Sequence, residues 1–154
     1  MSTYKKTVSK LIKKNISIST VESCTGGLLA YSFIKNKNIS KIYKTGYIAY
    51  SNESKINILN VNKKLLNKYG AVSKEVAKLL VENLYKKEKT IITISTTGIA
   101  GPEKENSNKP VGLVYIGIKY KSVTKIYKKN FKGTRIEIQK KTIKFIFNKL
   151  NSLI

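Results

Sequence analysis

The sequence predicts a three-layer α/β/α sandwich on a mixed, largely parallel sheet, and three observations carry that prediction. Apolar β-branched runs alternate with helical stripes over the first two thirds of the chain, which requires crossover connections and parallel pairing. "TIITIST" (90–96) is apolar almost throughout, the pattern of a strand covered on both faces. "VGLVYIGIKY" and "SVTKIYKKNF" read as a hairpin, which adds antiparallel strands to the same sheet.

The elements follow in order. Val8, Leu11 and Ile12 stand at helical spacing, and "ISISTV" (16–21) is a run of strand length. "GGLLAYSFIKN" reads as a helix opened by a glycine pair, and "KTGYIAYS" (44–51) as the second strand. Ser51 or Asn52 caps the next helix, with Glu53 in a first turn where the helix dipole favours an anion. Leu65 and Leu66 mark a short helix, and Val76, Ala77, Leu80, Val81 and Leu84 form an amphipathic stripe starting from Ser73. "GPEKENSNKPVG" (101–112) is a polar loop, and the last helix carries Ile143, Ile146, Phe147 and Leu150 on one face.

At 154 residues the chain is read as one domain, 1–154, able to bury roughly two thirds of its unfolded surface. No run approaches the roughly 18 apolar residues of a membrane span, and lysines occupy the N-terminal stretch where a signal peptide needs an apolar one, so a cytoplasmic protein without a membrane partner is expected. With no histidine and one cysteine, Cys24, neither a metal site nor an internal disulfide is expected. The net charge of +23 invites a nucleic-acid reading. Of 31 basic residues only Arg135 is arginine, however, and Ile, Asn and Tyr are abundant beside lysine, all residues with A/T-rich codons. The lysines are scattered rather than gathered with aromatic platforms on one face. An A/T-biased genome with a solvated lysine surface explains this better than a nucleic-acid footprint.

Three polar clusters carry the chemistry. "ESCTGG" follows the first strand, "YSNESK" the second and "TTGIAGP" the third, so parallel pairing would bring them together at the carboxyl ends, where open α/β sheets bind ligands. Gly26 and Gly27 fit either a tight turn or a helix N-terminus offering amides to a phosphate or oxyanion. No P-loop or dinucleotide fingerprint is present, so no nucleotide cofactor is expected. A serine nucleophile lacking histidine must use lysine, carboxylate or tyrosine as its base. Lys55, in the first turn after the second strand, is placed where the helix dipole disfavours its proton.

In order along the chain, "VESCTGGLLA" (21–30), "GYIAYSNESKINILNV" (46–61), "YGAVSKEVA" (69–77), "TTGIAGP" (96–102) and "KPVGLVYIGI" (109–118) resemble the CinA C-terminal domain family, also known as the PncC nicotinamide-nucleotide amidases. The resemblance implies a stand-alone amidase domain without cofactor, a homodimer, that hydrolyses the carboxamide of nicotinamide mononucleotide to nicotinate mononucleotide and ammonia. It implies Ser23 as nucleophile, Lys55 as base, Tyr50 as a partner in the proton network and Thr97 as a further catalytic hydroxyl. Thr25, Gly26 and Gly27 are expected to line the substrate pocket, with amides near Cys24–Gly27 or around Gly98 as oxyanion donors. Cys24, the rival nucleophile, is read as packing. "FKGTRIEIQ" (131–139) resembles a further family segment, with Thr134 in place of an acidic residue and Gln139 in place of a basic one. Arg135 is expected to read a substrate phosphate, or else to form an ion pair at a helix N-terminus. The alternatives are a domain of the same fold that binds a pyridine nucleotide or similar phosphate ligand without turnover, and a basic nucleic-acid module.

Overall fold

The first strand, β1 (Ile18–Glu22), is buried at every residue because it lies between two parallel neighbours, β2 (Tyr43–Ile48) and β3 (Ile92–Gly98). Strands β4 (Leu113–Tyr120) and β5 (Val123–Asn130) form the expected hairpin and pair antiparallel, giving the sheet order β2-β1-β3-β4-β5. The computed structural model describes residues 2–104 and 107–154. Part of the polar loop, residues 105 and 106, lies outside them.

Helices cover both faces of the sheet. On one, α1 (Thr3–Lys13), α2 (Leu28–Ile34) and α6 (Arg135–Leu153) close a core of Leu11, Ile18, Phe33, Ile94, Ile116 and Phe147. On the other, α3 (Asn52–Leu59), α4 (Lys63–Tyr69) and α5 (Lys74–Glu88) pack Leu59, Leu66, Val76 and Leu80 against Val21 and Ala49. The predicted sandwich is therefore the observed one, and the apolar faces of α5 and α6 are those read from their spacing. Among the described residues no helix is long and apolar enough to cross a membrane.

Element ends depart from expectation by two or three residues, and each departure has a local cause. The second strand stops at Ile48 because Lys55, rather than a neighbouring strand, binds the carbonyls of Ala49 and Tyr50. β3 runs on through Thr97 and Gly98 because antiparallel pairing with Tyr115 and Val114 continues there. The glycine pair does not belong to α2. Gly26 and Gly27 have φ of +57° and +102°, a left-handed turn that precedes the helix.

The face toward α5 is lined with hydroxyls that find partners in the helix backbone. Thr93 Oγ1 donates to the Val81 carbonyl at 3.1 Å and Ser95 Oγ to that of Ala77 at 2.9 Å. Buried hydroxyls are tolerated when paired in this way. A Cβ at Gly117 would fall 2.5 Å from Ser95 Oγ and 3.1 Å from Val81, so this glycine lets α5 sit close to the sheet.

Candidate active site

The three polar clusters meet at the carboxyl ends of the parallel strands, as the topology requires. Ser23 follows β1 directly, and its N–H donates to the Thr96 carbonyl at 3.0 Å, which fixes it beside β3. Lys55 reaches the same point from α3. Ser51 caps that helix by accepting the Ser54 N–H at 3.0 Å, and the lysine side chain turns back over its N-terminus. Lys55 Nζ lies 3.1 Å from Ser23 Oγ, 2.9 Å from the Ala49 carbonyl and 3.1 Å from the Tyr50 carbonyl.

Lys55 is 1% exposed. Burial pushes its pKa down to about 8, so desolvation rather than the expected helix dipole does most of the work. The two carbonyls can only accept, and they take the two hydrogens of a neutral amine. Its lone pair then faces the hydroxyl of Ser23, the arrangement a general base needs. Cys24 sits next to this pair but is buried, and burial pushes its thiol up to about 12, so it carries no appreciable thiolate near neutrality.

These residues open into a cavity of about 580 Å³, within the usual range for small-molecule sites. Ser23, Cys24, Tyr50, Lys55, Thr97, Gly98 and Arg135 all line it. Lys68, Lys104 and Lys109 line it as well, with Glu103 the one carboxylate among the described lining residues. The cavity is thus electropositive and suits an anionic ligand.

The side chains of Tyr50 and Thr97 are engaged differently from expectation. Tyr50 reaches Lys55 through its backbone carbonyl. Its phenol, on a side chain that is 54% exposed, instead accepts a bond from Arg135 Nη2 at 2.9 Å. Thr97 donates its hydroxyl to the Ala71 carbonyl at 2.8 Å and so ties the α4–α5 connection to β3. Gly98 leaves space for the next strand, since a Cβ there would lie 2.6 Å from the Leu113 carbonyl.

Arg135, at the start of α6, donates from Nη1 to the Gly101 carbonyl at 2.6 Å as well as to Tyr50. Both partners are neutral, so the ion pair offered as its alternative role is not what the guanidinium makes here. Thr134, where an acidic residue was anticipated, caps α6 by accepting the Glu137 N–H at 3.3 Å, and Glu137 answers by accepting the Thr134 N–H at 3.0 Å.

The expectation for Thr25, Gly26 and Gly27 needs correcting, because none of them lines the cavity. Thr25 is buried and donates to Glu22 Oε1 at 2.6 Å, with Thr96 Oγ1 at 2.8 Å on its other side. Glu22 also accepts the Leu29 and Ala30 N–H groups at 2.8 and 3.0 Å. The α2 N-terminus is therefore filled by a carboxylate from the chain itself and offers no seat to a phosphate or oxyanion.

Three contributors were given no role by sequence reasoning, although Gln139 was named as a departure from the family segment. Glu22 is one. Gln139, on α6, donates to the Cys24 carbonyl at 3.0 Å and braces the turn that carries Ser23. Lys109 donates to the carbonyls of Tyr69, at 3.2 Å, and Val72, drawing the α4–α5 connection against the cavity. The "KPVG" stretch was quoted, but nothing in it marked the lysine as a clamp.

Comparison with known proteins agrees with the fold. The family model for the CinA C-terminal domain matches residues 1–154. A CinA-like protein of Fusobacterium nucleatum is 49% identical over 131 residues, which are 85% of this chain and 32% of that protein. A Clostridium botulinum (strain Loch Maree / Type A3) protein, named for competence-damage inducibility, is 50% identical over 133 residues, 86% of this chain and 32% of its own length. The chain thus spans about a third of the length of the curated relatives it matches. The crystal structure of competence damage-inducible protein A from Klebsiella pneumoniae superposes with a TM-score of 0.93 at 26% identity, covering 99% of this chain and 96% of that one. The competence/damage inducible protein CihA of Agrobacterium tumefaciens superposes at 0.91 with 27% identity, covering 99% and 96%.

Proposed function

Since the chain belongs to the CinA C-terminal domain family, we propose that it is an amidohydrolase that converts nicotinamide mononucleotide to nicotinate mononucleotide and ammonia. The observation that carries this reading is the buried lysine 3.1 Å from a serine hydroxyl, opening on an electropositive cavity of about 580 Å³.

The chemistry follows from that pair. Neutral Lys55 takes the Ser23 proton as Oγ attacks the carboxamide carbon, and the carbonyl π electrons move onto oxygen. The tetrahedral intermediate collapses, the C–N bond breaks, and the Lys55 ammonium returns a proton to the departing nitrogen, which leaves as ammonia. Water, deprotonated by the same lysine, then attacks the Ser23 ester, and the acid and free serine are released. Because the Ser23 N–H is bonded to Thr96, the Cys24 N–H, on the one residue of the following turn that lines the cavity, is the donor offered to the oxyanion. Arg135, Lys68 and Lys104 hold the substrate phosphate, and the Tyr50 phenol, fixed by Arg135, borders the same space.

The test is ammonia release from nicotinamide mononucleotide by the purified protein beside its Ser23→Ala and Lys55→Ala variants. Turnover lost in both supports the serine–lysine amidase. Absence of turnover in the unmodified protein rejects it, and turnover that survives Ser23→Ala rejects the nucleophile.

A further inference from the structure

We infer that Glu22 is a positioning residue for Ser23: it aims the nucleophile by holding the turn that follows β1 through a relay of hydroxyls. The inference rests on the reading of Ser23 as the nucleophile.

Glu22 is the last residue of β1 and is 1% exposed, yet it faces neither Lys55 nor the cavity. All three contacts of its carboxylate are donated to it, by the Thr25 hydroxyl and the Leu29 and Ala30 amides. The α2 N-cap, Gly27, offers no side chain of its own. Glu22 therefore supplies the cap from the strand and joins β1 rigidly to α2, across the residues that include Ser23.

The link to Ser23 is short. Thr25 Oγ1 stands 2.8 Å from Thr96 Oγ1, and Thr96 Oγ1 accepts the Ser23 N–H at 3.3 Å beside the Thr96 carbonyl at 3.0 Å. The Gly26 N–H closes the turn onto the Ser23 carbonyl at 3.1 Å. The Ser23 N–H is thus linked to the Glu22 carboxylate through two threonines, Thr96 and Thr25, in the turn that begins at Glu22 itself. A glutamine cannot reproduce this, because its amide nitrogen would face a backbone N–H or the threonine proton.

The experiment compares Glu22→Gln and Thr25→Val with the parent in three measurements: thermal unfolding, kcat and KM for nicotinamide mononucleotide, and the rate at which a fluorophosphonate labels Ser23, whose Oγ displaces fluoride from phosphorus. Expected, in protein folded at the assay temperature, is a fall in kcat of between about 10- and 100-fold with KM within about twofold, and labelling slowed in parallel. Labelling within twofold of the parent in both folded variants overturns the proposal. If Glu22→Gln does not fold, Thr25→Val decides alone, since it removes one hydroxyl and keeps the shape. A parent that labels, and does so more slowly in both variants, but does not turn over the mononucleotide upholds the positioning role while rejecting the substrate. A parent that does not label overturns both.

Discussion

Lys55 and Ser23, 32 positions apart in the chain, meet at 3.1 Å with the lysine wholly enclosed. A lysine held at a pKa of about 8 is neutral in about a tenth of molecules at pH 7, against a few in ten thousand for a free side chain. The kcat/KM of the proposed amidase is therefore expected to rise with pH, with a midpoint near 8, and to level off above it. A flat profile between pH 6 and 9 would remove Lys55 as the base.

The same burial makes a stability prediction of definite sign. Between about pH 8 and 10.5 the unfolded chain binds a proton at Lys55 that the folded one has lost, so stability rises with pH through that window. At about 1.4 kcal/mol per pH unit the full span is on the order of 3 kcal/mol. Below pH 8 both states are protonated and the cost of the buried charge is constant. Urea unfolding of the parent and of Lys55→Met should show the parent gaining on the variant from pH 8 to 10. A difference that does not move with pH refutes the buried, depressed lysine.

Cys24 is 4% exposed, and a thiol held at about 12 is ionised in only about one molecule in ten thousand at pH 8. Cys24→Ser is expected to keep turnover within about threefold of the parent, and iodoacetamide to leave the folded enzyme active. Loss of activity parallel to alkylation would transfer the nucleophile to sulfur.

Much of this site was legible beforehand, and what was not shares a cause. Ser23, Lys55 and Tyr50 follow two of the three parallel strands and Thr97 ends the third, so strand order alone brings them together, and the strands announced themselves by apolar β-branched runs. The direction of each side chain was not legible. Tyr50 contributes its carbonyl where a phenol was anticipated, and Thr25 turns to Glu22 instead of the cavity. A glutamate at the end of a strand reads equally well as solvated, and only the return of α2 onto β1 shows that its carboxylate is a cap. Arg135 and Gln139 arrive from a helix more than 80 residues along the chain from Tyr50 and Cys24, a distance over which no spacing pattern reports.

Arg135 tests the phosphate reading. Its fork already holds Tyr50 and Gly101, and a lysine has no planar pair of donors with which to keep both. With charge-assisted bonds worth about 1.5–3 kcal/mol, Arg135→Lys should raise the KM for nicotinamide mononucleotide by about 10- to 100-fold. The parent should prefer the mononucleotide to nicotinamide riboside, which lacks the phosphate, and the variant should lose that preference. An unchanged KM would leave Arg135 as a strut alone.

Ser19 offers a prediction about the fold itself. It is the second residue of β1, 0% exposed, paired with Thr45 on one side and Thr93 on the other, and its Oγ is the one buried side-chain polar atom without a partner among the described residues. Its neighbours found theirs: Thr93 in the Val81 carbonyl and Thr45 in Glu88. An unpaired hydroxyl in such a place costs desolvation that no bond returns, so Ser19→Ala is expected to be neutral or stabilising by up to about 1 kcal/mol, which at this size moves the melting temperature by about 2–4 °C. Ser95→Ala is the matched control. Its hydroxyl donates to Ala77, a bond that the substitution removes, so that variant should lose about 1 kcal/mol. Two thermal melts decide it: if Ser19→Ala falls as far as Ser95→Ala, the Ser19 hydroxyl has a partner, and a buried water bridging it to the helix is the arrangement that supplies one.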